Sequence, residues 1–180
     1  MKIGLLGGSF NPPHEGHLLL ALRALKAARL DQVWFLVAPQ NPFKSPGEYL
    51  PLDARCELCK RMVAGNPNIK ISDIERKINP SCESYKTIKR LNEMCKNCEF
   101  YWIMGSDNLE SLHSWKMPSY IAKNARLVCF RRGKFYQHIR SKFYTKYRNN
   151  IQIIYSGMID VSSTKIRQTL GANWQKAYIY

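Results

Sequence analysis

Two histidines, His14 and His17, stand three residues apart directly after the run Gly7-Gly8-Ser9-Phe10-Asn11-Pro12-Pro13. Residues three apart share one face of a helix, so both imidazoles can turn to the same side. An imidazole at a helix start can donate a hydrogen bond to a phosphate oxygen and stabilise charge developing there. The unpaired N–H groups of the helix start add to that attraction for anions. Gly7 and Gly8 would let the backbone turn sharply and come close to a ligand. Metal ligation is the weaker alternative, because no cysteine lies nearby and Glu15 points to another face. A second set lies near the other end, in Val161-Ser162-Ser163-Thr164-Lys165-Ile166-Arg167. Ser163 and Thr164 offer hydroxyl and N–H groups at a predicted helix start, and Arg167 projects one turn later. Alone, that pattern is ordinary capping. Paired with the histidines, it suggests one polyphosphate held between two helix N-termini.

The elements that must position these residues alternate along the chain. Residues 2–6 read as a buried strand, 7–13 as a turn, and 14–29 as a helix with an apolar stripe at 18, 19, 22, 25 and 28. Residues 32–37 read as a strand, 38–52 as a loop with four prolines, and 53–64 as a helix with Asp53 as its N-cap. Strands follow at 69–72, 100–104, 127–130 and 151–155, and helices at 84–94, 117–124, 136–148 and 163–170. Such alternation predicts an α/β fold: a Rossmann-like parallel sheet with helices on both faces, in one domain over 1–180. Ligands of such folds sit at the carboxyl ends of the strands, near the point where strand order reverses. Both the first turn and the turn Gly105-Ser106-Asp107-Asn108 should lie on that edge.

With 180 residues, 45% hydrophobic and 23% charged, the composition is that of a soluble globular domain with a real core. No apolar run approaches a membrane span, and the segment after Lys2 is too short for a signal peptide, so a cytoplasmic protein is expected. The formal charge of +15 is spread over both halves and favours anionic partners without choosing among them. Of six cysteines, Cys56–Cys59 and Cys95–Cys98 have C-x-x-C spacing, which suits zinc. The first pair falls inside a continuous helical pattern, however, where cysteines serve as small core residues. No metal site is therefore expected, and a disulfide framework is not expected in a reducing compartment. Residues 131–148 hold seven basic residues and no acid, interleaved with Phe135, Tyr136, Phe143, Tyr144 and Tyr147. That suits base stacking, but it equally suits a helix with one apolar and one solvated face, so no specific nucleic-acid site is expected.

Gly-Gly-Ser-Phe-Asn-Pro-x-His-x-Gly-His with a distal Ser-Ser-Thr-x-x-Arg resembles the HxGH nucleotidyltransferases, and within them the bacterial nicotinate-nucleotide adenylyltransferases. Phosphopantetheine adenylyltransferases, the nearest alternative, typically carry Thr at the position of His14. The middle of the chain agrees, in Pro39-Gln40-Asn41-Pro42-Phe43-Lys44, in Trp102-Ile103-Met104-Gly105-Ser106-Asp107-Asn108-Leu109 and in His113-Ser114-Trp115. The resemblance implies ATP, with Mg2+ carried on it, and nicotinate mononucleotide as partners. It assigns catalysis to His14, His17 and Arg167, and ATP binding to these with Gly7, Gly8, Ser9, Phe10, Gly105, Asp107, Ser163 and Thr164. Asn41, Lys44, Ser84, Trp115 and Arg131 are assigned to the mononucleotide. There are departures. Asn11 stands where the family often has Asp, and Arg132 stands where it usually has Pro. In Glu83-Ser84-Tyr85-Lys86-Thr87, anchoring on Thr87-Ile88 puts Ser84 at the ring carboxylate, whereas anchoring on Ser84-Tyr85 puts Lys86 there. The first register is preferred. Intact His14, His17 and Arg167 argue against an inactive nucleotide sensor on the same fold.

Overall fold

The computed structural model describes residues 1–39, 50–131, 142–155, 162–171 and 174–179. Six strands, β1 (Lys2–Gly8), β2 (Gln32–Val37), β3 (Ile69–Ser72), β4 (Glu99–Gly105), β5 (Arg126–Arg131) and β6 (Ile151–Tyr155), form one parallel sheet in the order β3-β2-β1-β4-β5-β6. The strands are short and apolar, and the four inner ones are buried through their middles, as covered parallel strands are. Side chains alternate between the faces. Leu6, Val33, Phe35, Ile103, Val128 and Phe130 pack on one side with Leu20, Ala21 and Ala24 of α1 (Glu15–Ala27) and Cys56 and Cys59 of α2 (Leu52–Met62). Ile3, Leu5, Phe100, Trp102, Leu127 and Cys129 pack on the other, with Ile88 and Leu91 from the fourth helix and Ile121 and Ala122 from the sixth. Those later helices are α3 (Glu75–Ile78), α4 (Ser84–Met94), α5 (Ser106–Ser111), α6 (Pro118–Asn124), α7 (Lys142–Tyr147), α8 (Ser163–Leu170) and α9 (Lys176–Ile179).

The expected doubly wound fold is thus observed. The chain winds outward from β1 through β2 to β3, returns to the middle, and winds outward again through β4, β5 and β6. Connections leave β1 and β4 in opposite directions, which opens a crevice at their carboxyl ends. Gly8, Gly105 and Arg131 end their strands on that edge.

Several local expectations are corrected. Gly7 and Gly8 do not turn; both are the last residues of β1. The chain reverses after them, through Phe10 at φ 47° and a cis Asn11–Pro12 peptide. Asp53 is not an N-cap. α2 begins one residue earlier behind Pro51, whose φ of −49° already suits the first turn, and the Asp53 carboxylate pairs with Arg76. Cys95 and Cys98 form a disulfide with an S–S distance of 2.01 Å, against the expectation of none. The turn leaving α4 brings their Cα atoms to 5.4 Å, within bonding reach. Cys56 and Cys59 are buried free thiols, both pushed above the ordinary thiol range by burial. Of the helix expected over 136–148, residues 142–147 are helical, 148–150 form a 3-10 turn, and 136–141 lie outside the described residues. No helix among the described residues is long and apolar enough to cross a membrane.

Candidate active site

His14 is the N-cap of α1, in extended conformation, and His17 is its third residue. The two imidazoles lie with centroids 3.8 Å apart. The His14 backbone N–H donates to Nδ1 of His17 at 3.2 Å, and the His17 N–H donates to the His14 carbonyl at 2.8 Å. This reciprocal cap fixes a tautomer. Since Nδ1 of His17 accepts, the proton of the neutral ring is on Nε2, the nitrogen that can donate to a ligand. Behind the histidines, the Phe10 ring is stacked on Phe35 at 5.0 Å and meets His17 at 4.7 Å. A left-handed φ is uncommon for a phenylalanine, and such conformations gather at functional sites.

The two sets of candidate residues meet. Ser163 Oγ donates to the Pro12 carbonyl at 2.8 Å, and Arg167 Nη1 donates to the Asn11 carbonyl at 2.6 Å. Arg167 Nη2 reaches Thr164 Oγ1 at 3.4 Å, which sets the plane of the guanidinium. The α8 start is capped by Ser162, whose side chain accepts from the Lys165 N–H at 3.2 Å. The start of α8 therefore sits on the turn that precedes α1, across a sequence separation of 151.

Asn11 is 2% exposed, and its Oδ1 accepts the Leu50 N–H at 3.0 Å. An aspartate would accept the same bond, so this departure from the resembled family leaves the local geometry intact. Across the crevice, Gly105 caps α5, and the Asp107 carboxylate folds back over it. A Cβ at 105 would meet Asp107 Oδ1, so a larger residue there would push the Asp107 carboxylate aside. Asp107 itself is exposed on the first turn of α5 rather than capping it.

Ser84 is the first residue of α4 and half-buried; Trp115 closes the 3-10 turn Leu112–Ser114 and packs against the second core cluster. One carboxylate ties the Ser84 and Trp115 sides together. Glu83, with its side chain 13% exposed, ion-pairs with Lys86, two residues after Ser84, and with Lys116, next to Trp115. Hydrogen bonds from Lys116 and then Lys86 hold the Glu83 carboxyl at about 2. Arg131 lies at the end of β5 with its guanidinium 5.9 Å from the centroid of the Tyr155 ring. Asn41 and Lys44 lie outside the described residues. A hollow of about 420 Å3 between α2 and β3, lined by Lys60, Val63 and Ile69, contains none of these side chains and plays no part in the site.

Residues 5–169 match the cytidylyltransferase-like family. Among curated proteins, the chain is 39% identical over 143 residues to a "Probable nicotinate-nucleotide adenylyltransferase" of Rhizobium etli (strain CIAT 652), a match covering 79% of this chain and 73% of that one. It is 42% identical over 123 residues to a protein of the same name from Rhizobium johnstonii, covering 68% of this chain and 61% of that one. The matched part is thus under two thirds of the latter's length. Among solved structures, it is similar to Plasmodium falciparum nicotinic acid mononucleotide adenylyltransferase complexed with NaAD, with a TM-score of 0.76, 20% identity, and coverage of 99% of this chain and 90% of that one. At that identity the likeness supports the fold.

Proposed function

The chain belongs to the cytidylyltransferase-like family, and we propose that residues 1–180 form one nucleotidyltransferase domain that transfers the adenylyl group of ATP to nicotinate mononucleotide. The products are nicotinate adenine dinucleotide and pyrophosphate, a step of NAD biosynthesis. The observation that carries the reading is the junction of the His14–His17 pair with the α8 start, which gathers two imidazoles and Arg167 at the carboxyl edge of β1.

The acceptor is a phosphate monoester, largely dianionic near neutral pH because its second pKa is about 6. It is already a nucleophile, so the reaction requires no serine, no cysteine and no strong base. It requires two anions held in line and charge relieved on the departing pyrophosphate. His17 donates through Nε2 from a tautomer fixed by its cap. His14 lies beside it, and Arg167 offers a delocalised positive charge suited to phosphate oxygens. These donors suit anions rather than a cation, so Mg2+ would arrive on the triphosphate, bound by its oxygens and spreading their charge. Gly7 and Gly8 line the edge without side chains, with Ser9 and Phe10 beyond them. Ser163 and Thr164 add donors from the α8 start, while Gly105 and Asp107 face the nucleoside. Trp115 stacks on the pyridine ring and Arg131 meets the mononucleotide phosphate, while Asn41 and Lys44 are assigned to the mononucleotide by the family resemblance alone.

Recognition of the ring carboxylate falls to Ser84. Lys86, its rival, is exposed and engaged by Glu83. Ser84 stands at the N-terminus of an 11-residue helix, where N–H donors favour a carboxylate over a neutral amide. The test compares kcat/KM for nicotinate mononucleotide, nicotinamide mononucleotide and phosphopantetheine, each with ATP. The first is expected to be preferred, and turnover of phosphopantetheine alone would move the chain to the neighbouring activity.

A further inference from the structure

Arg55, on the first turn of α2, is 1% exposed, unusual for an arginine, and its guanidinium donates to four backbone carbonyls in three separate segments. Nε donates to Leu50 at 2.9 Å, Nη1 to Ser9 at 2.7 Å and to Ala38 at 2.8 Å, and Nη2 to Pro39 at 3.1 Å. Ala38 in turn donates its N–H to the Gly8 carbonyl at 2.9 Å. The carbonyl of Ser9 is thus held from α2, while the next residue, Phe10, takes its left-handed conformation and places its ring between Phe35 and His17. Asn11, one residue further, accepts Leu50 N–H on its side chain and Arg167 on its carbonyl. The turn bearing the catalytic pair is therefore clamped from both sides, by Arg55 of α2 and by Arg167 of α8.

We propose that Arg55 is a positioning residue for the transfer step: its buried fork fixes the Ser9 carbonyl, and through the Phe10 ring it sets where the His17 imidazole stands. Only a planar guanidinium spans four carbonyls on diverging segments. An ammonium, with its donors on one atom, keeps the charge and the helix but cannot reproduce the fork. Misplacement of a donor by about 1 Å is enough to cost about a hundredfold in rate.

The inference rests on the adenylyl-transfer reading for its kinetic arm alone. The experiment is Arg55→Lys in the full chain, read in two ways at a temperature well below its unfolding transition. In the substrate-free protein, the His14 and His17 imidazole NMR resonances are expected to move. Those of His113, on the exposed 3-10 turn, should stay put. In turnover, kcat should fall about 10- to 100-fold, with either KM changed less than kcat. Unmoved His14 and His17 resonances overturn the proposal, as does a kcat within twofold of wild type or a fall that follows loss of folded protein. If Arg55→Lys does not fold, Arg55→Gln carries the same two readouts; if neither folds, Arg55 is a folding residue and the proposal falls. A wild-type protein that forms no dinucleotide overturns the reading of function instead, and leaves the resonance arm to decide this one.

Discussion

Replacing His17 by asparagine, glutamine and alanine separates its three roles. Its Nδ1 closes the helix start and its ring rests on Phe10, and its Nε2 is proposed to donate to the reacting phosphates. Asparagine places a polar atom where Nδ1 stands and nothing where Nε2 stands; glutamine does the reverse. Removing one donor to transition-state charge typically costs about 3–4 kcal/mol, which is about 10² to 10³ in kcat. Losing a cap typically costs about 1 kcal/mol, or about 2–4 °C in Tm for a domain of this size. His17→Asn should therefore lose in melting temperature only what the ring's contact with Phe10 contributes, while kcat falls by the full factor. His17→Gln should melt lower yet keep part of its rate, and His17→Ala should show both losses. Steady-state kinetics for both substrates and thermal unfolding of all three variants provide the readings. An asparagine variant within tenfold of wild-type kcat would refute the donor role of Nε2. So would a loss found wholly in KM, because the donor is argued to act in the transition state.

Three further outcomes follow from the same geometry. Ser84→Ala should reduce the preference for nicotinate over nicotinamide mononucleotide, measured as a ratio of kcat/KM, whereas Lys86→Ala should leave it; the opposite pattern would restore the other register. Glu83 has its carboxyl lowered from the ordinary 4.5 to about 2 by its two lysines, so its contribution to stability is present above about pH 4.5 and is lost as pH falls towards 2. The Tm advantage of wild type over Glu83→Gln should accordingly shrink between pH 5 and about 3, and a difference independent of pH would show that the ion pairs contribute nothing. Thiol titration of the unfolded, unreduced protein should find four thiols, those of the unbridged Cys56, Cys59, Cys82 and Cys129, and six after reduction; six before reduction would remove the Cys95–Cys98 bond.

The sheet was legible because its strands are short apolar runs separated by turn residues or by amphipathic helices, and that alternation admits few topologies. Residues 32–37, 69–72 and 151–155 coincide with β2, β3 and β6. α3 and α5, of four and six residues, are shorter than any periodic pattern can reveal. The meeting of the two phosphate-directed sets was suggested by their kinship in residue type. The bonds that join them, from Ser163 and Arg167 to backbone carbonyls, have no sequence signature. Gly7-Gly8 misled because glycines occur both in turns and at strand ends; here they end β1. Arg55 was hidden for the opposite reason. An arginine among Asp53, Glu57, Lys60 and Arg61 reads as part of a solvated helix face, and only the fold turns it inward onto the Ser9 turn. Glu83 was noticed only as an offset in register, although its ion pairs with Lys86 and Lys116 join the two predicted walls of the ring site.

The central claim is tested most directly by incubating the purified protein with ATP, Mg2+ and nicotinate mononucleotide and following dinucleotide and pyrophosphate together. Equimolar nicotinate adenine dinucleotide and pyrophosphate, formed catalytically, is the predicted result, with the rate falling by about 10² or more in His17→Asn. No dinucleotide above the protein-free control, or formation unaffected by loss of His17, would contradict the account.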